Sequence, residues 1–270
     1  MVLPTFDPNE KPLEHLLNDG GLVGIFRTMA CIGDSLSSGE FEALDENGQK
    51  TYHDMYEYSW GQYIARIAGL TCYNFSRGGM TARAYMHSFA DSRGLWNTDL
   101  ASQAYIMALG VNDITTALQT HTDLGDIQDI DFADWRNNKH NFIGDYAAIL
   151  QRYREIRPDS YFFLMTIPSG NTDKRRLPLE ERHRELLYAL SEKFENTFVL
   201  DFRKYAPVYD AEFRKNYYLG GHLNPMGYLL TARMVISYID TIIRSDMPRF
   251  AQVGFIGTPW KYIPPKETVK

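Results

Sequence analysis

The chain has 270 residues, of which 44% are hydrophobic and 14% aromatic, enough to bury the core of one large domain. Its formal net charge of −6 argues against a nucleic-acid-binding protein, because such domains are usually basic. Acidic side chains occupy the N-terminal segment where a signal peptide has basic and then apolar residues, and no apolar run reaches about 18 residues. The sequence therefore predicts a cytoplasmic protein that neither spans nor binds a membrane.

Short apolar segments alternate with longer periodic ones along the chain. Five segments bounded mostly by glycine, proline or polar residues predict strands, at residues 24–33, 70–76, 104–110, 160–168 and 197–203. Apolar residues at helical spacing predict helices over residues 57–68, 141–156, 179–194 and 226–244. This alternation predicts a parallel sheet with helices on both faces. We expect a flavodoxin-like α/β fold, in which the five strands of such a sheet have the order 2-1-3-4-5.

The whole chain, residues 1–270, is predicted to form one domain with a core over about residues 22–245. The proline-rich tail, residues 246–270, is expected to pack on it in extended form. Two polar, acidic segments interrupt the alternation, at residues 39–56 and 114–140, and both are interpreted as long loops. The aspartates of the second lack the glycine and glutamate of a calcium loop. No His/Cys/Asp cluster has the spacing of a zinc site, so no metal site is predicted.

Polar residues follow three of the predicted strands directly. The first strand leads into GDSLSSG (33–39), the second into NFSRGGMTA (74–82) and the third into LGVNDI (109–114). Because the carboxyl ends of neighbouring parallel strands meet at one edge, Ser35, the Gly78–Gly79 pair and Asn112 should converge. A hydroxyl group beside backbone and amide N–H donors suits acyl transfer. The structural alternatives are a helix N-cap at Ser35, a positive-φ turn at the glycines and an Asx turn at Asn112.

A single histidine, His222, lies in the turn-rich segment NYYLGGHLNPMGY (216–228). No carboxylate occurs between Glu212 and Asp240, so no acid lies directly before it. By itself this residue is interpreted as a structural histidine more readily than as a base.

The four segments GDSLS, RGG, GVND and GHLNPMGY occur in the order of the sequence blocks of the GDSL/SGNH hydrolases, which the chain resembles over about residues 28–240. The resemblance implies that Ser35 is the nucleophile and also an oxyanion-hole donor, completed by Gly79 and Asn112, with Gly78 as the competing glycine. It implies that His222 is the general base and that no cofactor is required.

The chain departs from the family at one position. The family's acid lies three residues before the histidine, and that position is Leu219 here. We therefore expect the backbone carbonyl of Leu219 or Gly220 to orient the imidazole, because a carbonyl can fix the tautomer. Asp210 and Glu212 are the alternatives nearest in sequence.

Aromatic residues in the loops after the first three strands suggest the substrate. The residues expected to contact it are Tyr52, Trp60, Arg83 and Trp96. Such faces suit a sugar ring, and the family includes carbohydrate acetylesterases, so we expect a serine esterase that removes acetyl groups from an oligosaccharide. Two alternatives remain: a lipid or thioester hydrolase of the same family, and a non-catalytic glycan-binding module that has lost its triad. The aromatic residues also have a structural interpretation, as core beneath the long loops.

Overall fold

The computed structural model describes residues 6–170 and 173–264. Its central sheet is parallel and has the order β4-β1-β5-β6-β7, which is the predicted order 2-1-3-4-5. The strands are β1 (Thr28–Gly33), β2 (Glu40–Leu44), β3 (Lys50–Asp54), β4 (Thr71–Ser76), β5 (Ala104–Ala108), β6 (Tyr161–Met165), β7 (Thr197–Leu200), β8 (Tyr218–Leu219) and β9 (His222–Leu223). Gly33 pairs with Ser76 of β4 and with Ala108 of β5, so the carboxyl ends of these three strands lie level.

Helices connect the strands and cover both faces of the sheet. They are α1 (Ser35–Ser38), α2 (Trp60–Ala68), α3 (Ala82–Ala84), α4 (Ala90–Ser92), α5 (Val111–Thr120), α6 (Phe142–Ile156), α7 (Leu177–Lys193), α8 (Phe202–Tyr205), α9 (Ala211–Tyr217), α10 (Pro225–Ser245) and α11 (Met247–Phe250). A π-helical turn, Tyr85–Phe89, joins α3 to α4. The four helices predicted from apolar spacing are α2, α6, α7 and α10, each within a few residues of the expected bounds.

Side chains alternate across the sheet and build a core on each side of it. Ala30 and Ile32 of β1 face a cluster with α6, whereas Met29 and Cys31 face a cluster with α2 and α10. Strands that are buried on both faces read as continuous apolar segments for this reason. Cys31 and Cys72 are buried free thiols, as their apolar surroundings in the sequence indicate.

Helix α10 is long and apolar enough to cross a membrane by length and composition alone. However, 72% of its most apolar window is buried inside the protein, where it packs on α2. A core helix of a globular domain passes the same test, so this helix is explained by its packing.

Three local predictions need correction. Residues 39–56 are a β-hairpin, β2 and β3, because alternating side chains such as Phe41 pack on the core. Residues 114–140 are not all loop, since α5 runs to Thr120 and buries Ile114 and Ala117. The described part of the tail forms helical turns at Met247–Phe250 and Val253–Phe255, so it is not extended throughout, and Phe250 stacks on Tyr161. Residues 265–270 of the predicted tail lie outside the described residues.

Candidate active site

Ser35 is the first residue of α1, at the carboxyl end of the central strand β1. The N-cap of this helix is Asp34, whose Oδ1 accepts from the Leu36 N–H at 3.0 Å. The interpretation of Ser35 as the N-cap is therefore wrong, and the Ser35 hydroxyl does not cap the helix. Its backbone N–H, at the start of the helix, also has no acceptor among the described residues. A hydroxyl and a free N–H at one residue match the two roles that the family resemblance implies.

The turn after β4 presents backbone N–H groups toward the same edge of the sheet. Gly79 has φ +71°, a conformation that side-chain-bearing residues rarely adopt. Gly78 is required for a different reason, because a Cβ atom there would lie 2.2 Å from Oε2 of Glu40. Neither N–H has an acceptor among the described residues, so both remain candidates for the oxyanion hole.

Asn112 joins the three strand ends through its side chain. Its Nδ2 donates to Oδ2 of Asp34 at 3.2 Å and to the carbonyl of Met80 at 3.1 Å. These hydrogen bonds connect the end of β5 to the segments after β1 and β4. They are therefore not the local hydrogen bonds of an Asx turn. Both amide hydrogens already have acceptors, and an oxyanion would have to share or replace one of them.

We expect Asn112→Ala to lower kcat about 10²–10³-fold with little change in KM, the usual cost of one lost oxyanion donor. Steady-state kinetics on p-nitrophenyl acetate, with thermal unfolding in parallel, measures both effects. A lower melting temperature with an unchanged kcat would mean that Asn112 only ties the loops together.

His222 lies on the short strand β9, and its imidazole is 85% covered. Its Nε2 is 3.1 Å from Oε1 of Glu40, and its Nδ1 is buried without a hydrogen-bond partner among the described residues. The expectation that the carbonyl of Leu219 or Gly220 holds Nδ1 is therefore wrong. Leu219 pairs with His222 through the backbone across β8 and β9, which uses its main chain in the hairpin.

Two carboxylates of β2, rather than one before the histidine, face the imidazole. Glu42 Oε2 lies 3.9 Å from His222 Nδ1 and accepts from the Gly221 N–H at 2.9 Å. Lys50 pairs with the other oxygen of Glu42 at 2.7 Å. Glu40 and Glu42 are two residues apart on a strand, so they share a face, and that alternation is the sequence signal that sequence reasoning missed.

The expected alternative acids are occupied elsewhere or lie outside this arrangement. Asp210 caps α9 by accepting from the Phe213 N–H at 2.9 Å. Glu212 lies in the first turn of the same helix. The ion pairs of His222 within residues 6–170 and 173–264 are with Glu40 and Glu42.

The electrostatics suit a neutral imidazole. Burial lowers the pKa of His222 below its ordinary value of 6.5, and the charge of Glu42 opposes this shift. Burial, and secondarily Asp54, raises the pKa of Glu40. Burial also raises the pKa of Asp34 to about 6, and Glu40 adds to that rise. At neutral pH His222 is therefore in the form that accepts a proton.

The predicted substrate contacts separate into two groups. Tyr52 is 54% exposed, and the edge of its ring meets His222 with centroids 5.7 Å apart. Trp60 is 1% exposed and belongs to the core, although it also lines the apolar cavity described below. Trp96 is partly buried, and its ring packs against Tyr153 and lies under the guanidinium of Arg152, so neither tryptophan is an open platform. Arg83 donates to the carbonyl of His140 and lines a different cavity.

Two cavities adjoin the candidate catalytic residues. A mainly apolar one of about 190 Å³ is lined by neighbours of Ser35, Asn112 and His222, among them Leu36, Val111 and Leu223. A more polar one of about 290 Å³ adjoins the turn after β4 and is lined by Asp54, Asn74, Ser76, Arg77, Phe89, Arg93 and Leu95.

The chain is thus a parallel, flavodoxin-like α/β/α domain, with a serine after the first strand of the central sheet, an amide side chain after the third and a histidine just before the long helix α10. The model of the GDSL-like lipase/acylhydrolase family matches residues 31–230, and the chain belongs to this family. The chain is accordingly a carboxylic ester hydrolase. No curated protein matches it.

Solved structures share the fold at low sequence identity. A family two carbohydrate esterase from Clostridium thermocellum, in complex with cellohexaose, is 16% identical with a TM-score of 0.57, and the match covers 83% of this chain and 65% of that one. A possible lipase from Chitinophaga pinensis is also 16% identical with a TM-score of 0.57, covering 81% and 98%. The family 2 carbohydrate esterase from Corynascus thermopiles, which carries a carbohydrate-binding domain, is 14% identical with a TM-score of 0.52, covering 84% and 67%. The match spans only about two thirds of the length of either carbohydrate esterase.

Proposed function

We propose that the protein is a serine esterase for short acyl esters and that its substrates are O-acetylated oligosaccharides. One observation carries the catalytic part of the proposal. The side chain of Asn112, after β5, hydrogen-bonds both Asp34, the residue before Ser35, and the carbonyl of Met80 in the turn after β4. This contact supports a site at the ends of the three strands, with His222 supplied from beside the β2–β3 hairpin.

The chemistry follows from the groups present. The Ser35 Oγ attacks the ester carbonyl while His222 Nε2 takes the hydroxyl proton, and the carbonyl electrons move to the oxygen. That oxyanion accepts from the N–H groups of Ser35 and Gly79 and from the Asn112 amide. His222 then gives the proton to the leaving alcohol, and a water molecule hydrolyses the acyl-serine by the same route.

Glu42 replaces the missing acid in this proposal. A distance of 3.9 Å is too long for a hydrogen bond, but catalytic contacts are often long before substrate binds. Nδ1 is buried and lacks a partner among the described residues, so when it carries the ring hydrogen, as the proposed mechanism requires, it gains from a nearby acceptor. Glu42 is 9% exposed, and both of its oxygens are held, by Gly221 and by Lys50. It can therefore fix the tautomer and also stabilise the imidazolium.

Glu40 occupies the other side of the imidazole in the ligand-free state. Its carboxylate bridges from His222 Nε2 to the space directly over Gly78, where an ester would meet the oxyanion hole. We propose that the substrate displaces this carboxylate and so releases Nε2 for Ser35. The raised pKa of Glu40 makes its neutral form easier to reach, which lowers the cost of that displacement.

Exposed and polar features support a carbohydrate on the alcohol side. Tyr52 offers an open ring next to His222, and the polar cavity beside the β4 turn has Asp54, Arg77 and Arg93 in its wall. Structural relatives that are carbohydrate esterases agree with this assignment. The buried position of Trp60 and the packing of the partly buried Trp96 against Tyr153 take away two of the aromatic faces on which the expectation was first based.

The apolar cavity favours a second candidate, an acyl hydrolase for longer chains. Its volume of about 190 Å³ exceeds what an acetyl group needs, and apolar side chains such as Leu36 and Ile167 line it. Arg176 and Glu180 also line it, however, and their charges would limit how far an alkyl chain could extend.

A time course of acetate release from a panel of acetylated oligosaccharides tests the proposal, with a p-nitrophenyl ester series from acetyl to octanoyl beside it. We expect acetate release from at least one sugar ester and a rate that falls with chain length. A rate that rises toward octanoyl would favour the acyl hydrolase. Sugar binding without release of acetate would favour the non-catalytic module.

A further inference from the structure

Three side chains of types that ligate metals meet on the α6 side of the sheet, and one of them, His87, is distant from the other two in the sequence. His87 lies in the π-helical turn Tyr85–Phe89, His140 comes just before the N-cap Asn141 of α6, and Asp145 is in the first turn of that helix. One ligand atom from each lies within 4.8 Å of the other two. Such a group has no sequence spacing that would reveal it, because the fold alone brings the π-helical turn onto α6.

The distances fit a transition-metal ion. His87 Nε2 is 2.7 Å from Asp145 Oδ1, and His140 Nδ1 is 3.6 Å from the same oxygen. A tetrahedral zinc site with bonds of about 2.0–2.1 Å separates its ligand atoms by roughly 3.4 Å. The observed separations bracket that value, so small rotations of the two imidazoles would seat an ion.

The carboxylate of this group is buried, and only one of its two oxygens has a partner among the described residues. The Asp145 side chain is 3% exposed, and its Oδ2 is buried with no hydrogen-bond partner among the described residues. Burying an ionised carboxylate is costly unless it is paired or binds a metal. Its ion-pair partners in the described parts of the chain are the two imidazoles, which are uncharged unless protonated.

We propose that His87, His140 and Asp145 bind one divalent transition-metal ion of the zinc class. Two imidazole nitrogens and one carboxylate oxygen suit Zn²⁺, Co²⁺, Ni²⁺ or Cu²⁺, whereas Mg²⁺ and Ca²⁺ prefer all-oxygen sites. The imidazoles are 41% and 61% exposed, which leaves an entry path and a coordination position for water.

The ion would take no part in the proposed ester hydrolysis, because that reaction uses none of its three ligands. His140 and Asp145 line a cavity of about 470 Å³ together with Asp113, the residue after Asn112, and Ser35, Gly79 and His222 are not in that lining. Bound there, the ion would clamp the π-helical turn to α6 and stabilise the folded state by mass action. Ester hydrolysis should therefore survive chelation, which separates this proposal from the proposed function.

Titration of the chelator-treated full-length protein with ZnCl₂ in a calorimeter is the direct test. We expect one ion per chain with a micromolar or lower Kd, and a melting temperature higher by on the order of 5 °C at about 100-fold excess over Kd. Co²⁺ should give the visible absorption of a four- or five-coordinate site. MgCl₂ should not compete.

Substitutions of the proposed ligands test where the ion binds. His87→Ala and His140→Ala change exposed side chains and should each weaken Zn²⁺ binding at least tenfold without loss of the circular dichroism spectrum. His53→Ala is the matched control, since His53 is an exposed histidine that contacts Thr51 on the hairpin, and it should bind as the wild type does. The proposal is overturned by absent binding, by equal loss in the His53→Ala control, by unchanged binding in the two test variants, or by equal affinity for Mg²⁺.

Discussion

Replacing Ser35 by alanine is expected to abolish ester hydrolysis while the protein stays folded. The described hydrogen bonds at this position use its backbone carbonyl, which accepts from Gly39 N–H, from Ser38 Oγ at 3.3 Å and from the Tyr228 hydroxyl at 3.5 Å. Alanine keeps all three and removes only the hydroxyl. The loss of turnover should therefore come without a change in melting temperature.

The measurement is hydrolysis of p-nitrophenyl acetate together with covalent labelling by a fluorophosphonate, located by mass spectrometry. We expect the label on Ser35 in the wild type and none in the variant. Ser88→Ala is a suitable control, because Ser88 is exposed and its hydroxyl bonds within its own helical turn. Turnover above a few per cent of wild type in Ser35→Ala, or a label on another residue, would contradict the nucleophile assignment.

Replacing Glu42 by glutamine is expected to lower kcat about 10²–10⁴-fold with little change in KM. A triad that loses its carboxylate and takes the wrong tautomer loses about 10⁴ in kcat. Glutamine keeps the size of the side chain and can still accept from Gly221, so the hairpin should stay in place. The proposed role of Glu42 is to position His222, and it does not touch the reacting atoms.

The pH profile distinguishes positioning of the base from support of the hairpin. His222 accepts a proton only when neutral, so kcat/KM should fall as the pH drops through the pKa of His222, which lies below 6.5. The charge of Glu42 raises that pKa, and Glu42→Gln should therefore move the acidic limb to lower pH. If Glu42 were remote from His222 in the working enzyme and only supported the hairpin, Glu42→Gln would lower the rate without moving the limb.

Matched variants locate the acid. Glu46→Gln changes an exposed residue in the turn of the same hairpin and should leave the profile unchanged. Asp210→Asn and Glu212→Gln should each cost less than tenfold. A thousandfold loss at Asp210 or Glu212 in a folded protein, with a small loss at Glu42, would show that the acid lies after β7 and not on β2.

Local sequence patterns were sufficient to predict the strands of the central sheet and the main helices of this protein. Continuous apolar segments identified all five sheet strands, because strands buried on both faces have no polar side. Apolar spacing identified α2, α6, α7 and α10 for the corresponding reason. The order of the four sequence blocks was enough to identify the family. The ends of β1, β4 and β5 lie level and bring Ser35, Gly79 and Asn112 to one edge of the sheet, as predicted.

The surroundings of those residues were decided by tertiary structure. The sequence around an aromatic residue does not distinguish a side chain that fills the core, as that of Trp60 does, from one that meets solvent, as that of Tyr52 does. The segments next to His222 in the sequence contain no acid that contacts it. Glu42, 180 positions away in the sequence, lies near His222 because the β2–β3 hairpin packs on β9. The His87–His140–Asp145 group arises in the same way. Hydrophobic periodicity shows which face of a helix or strand is buried. It does not show which side chains from distant parts of the sequence will contact that face, and catalytic and metal-ligating contacts depend on those distant side chains.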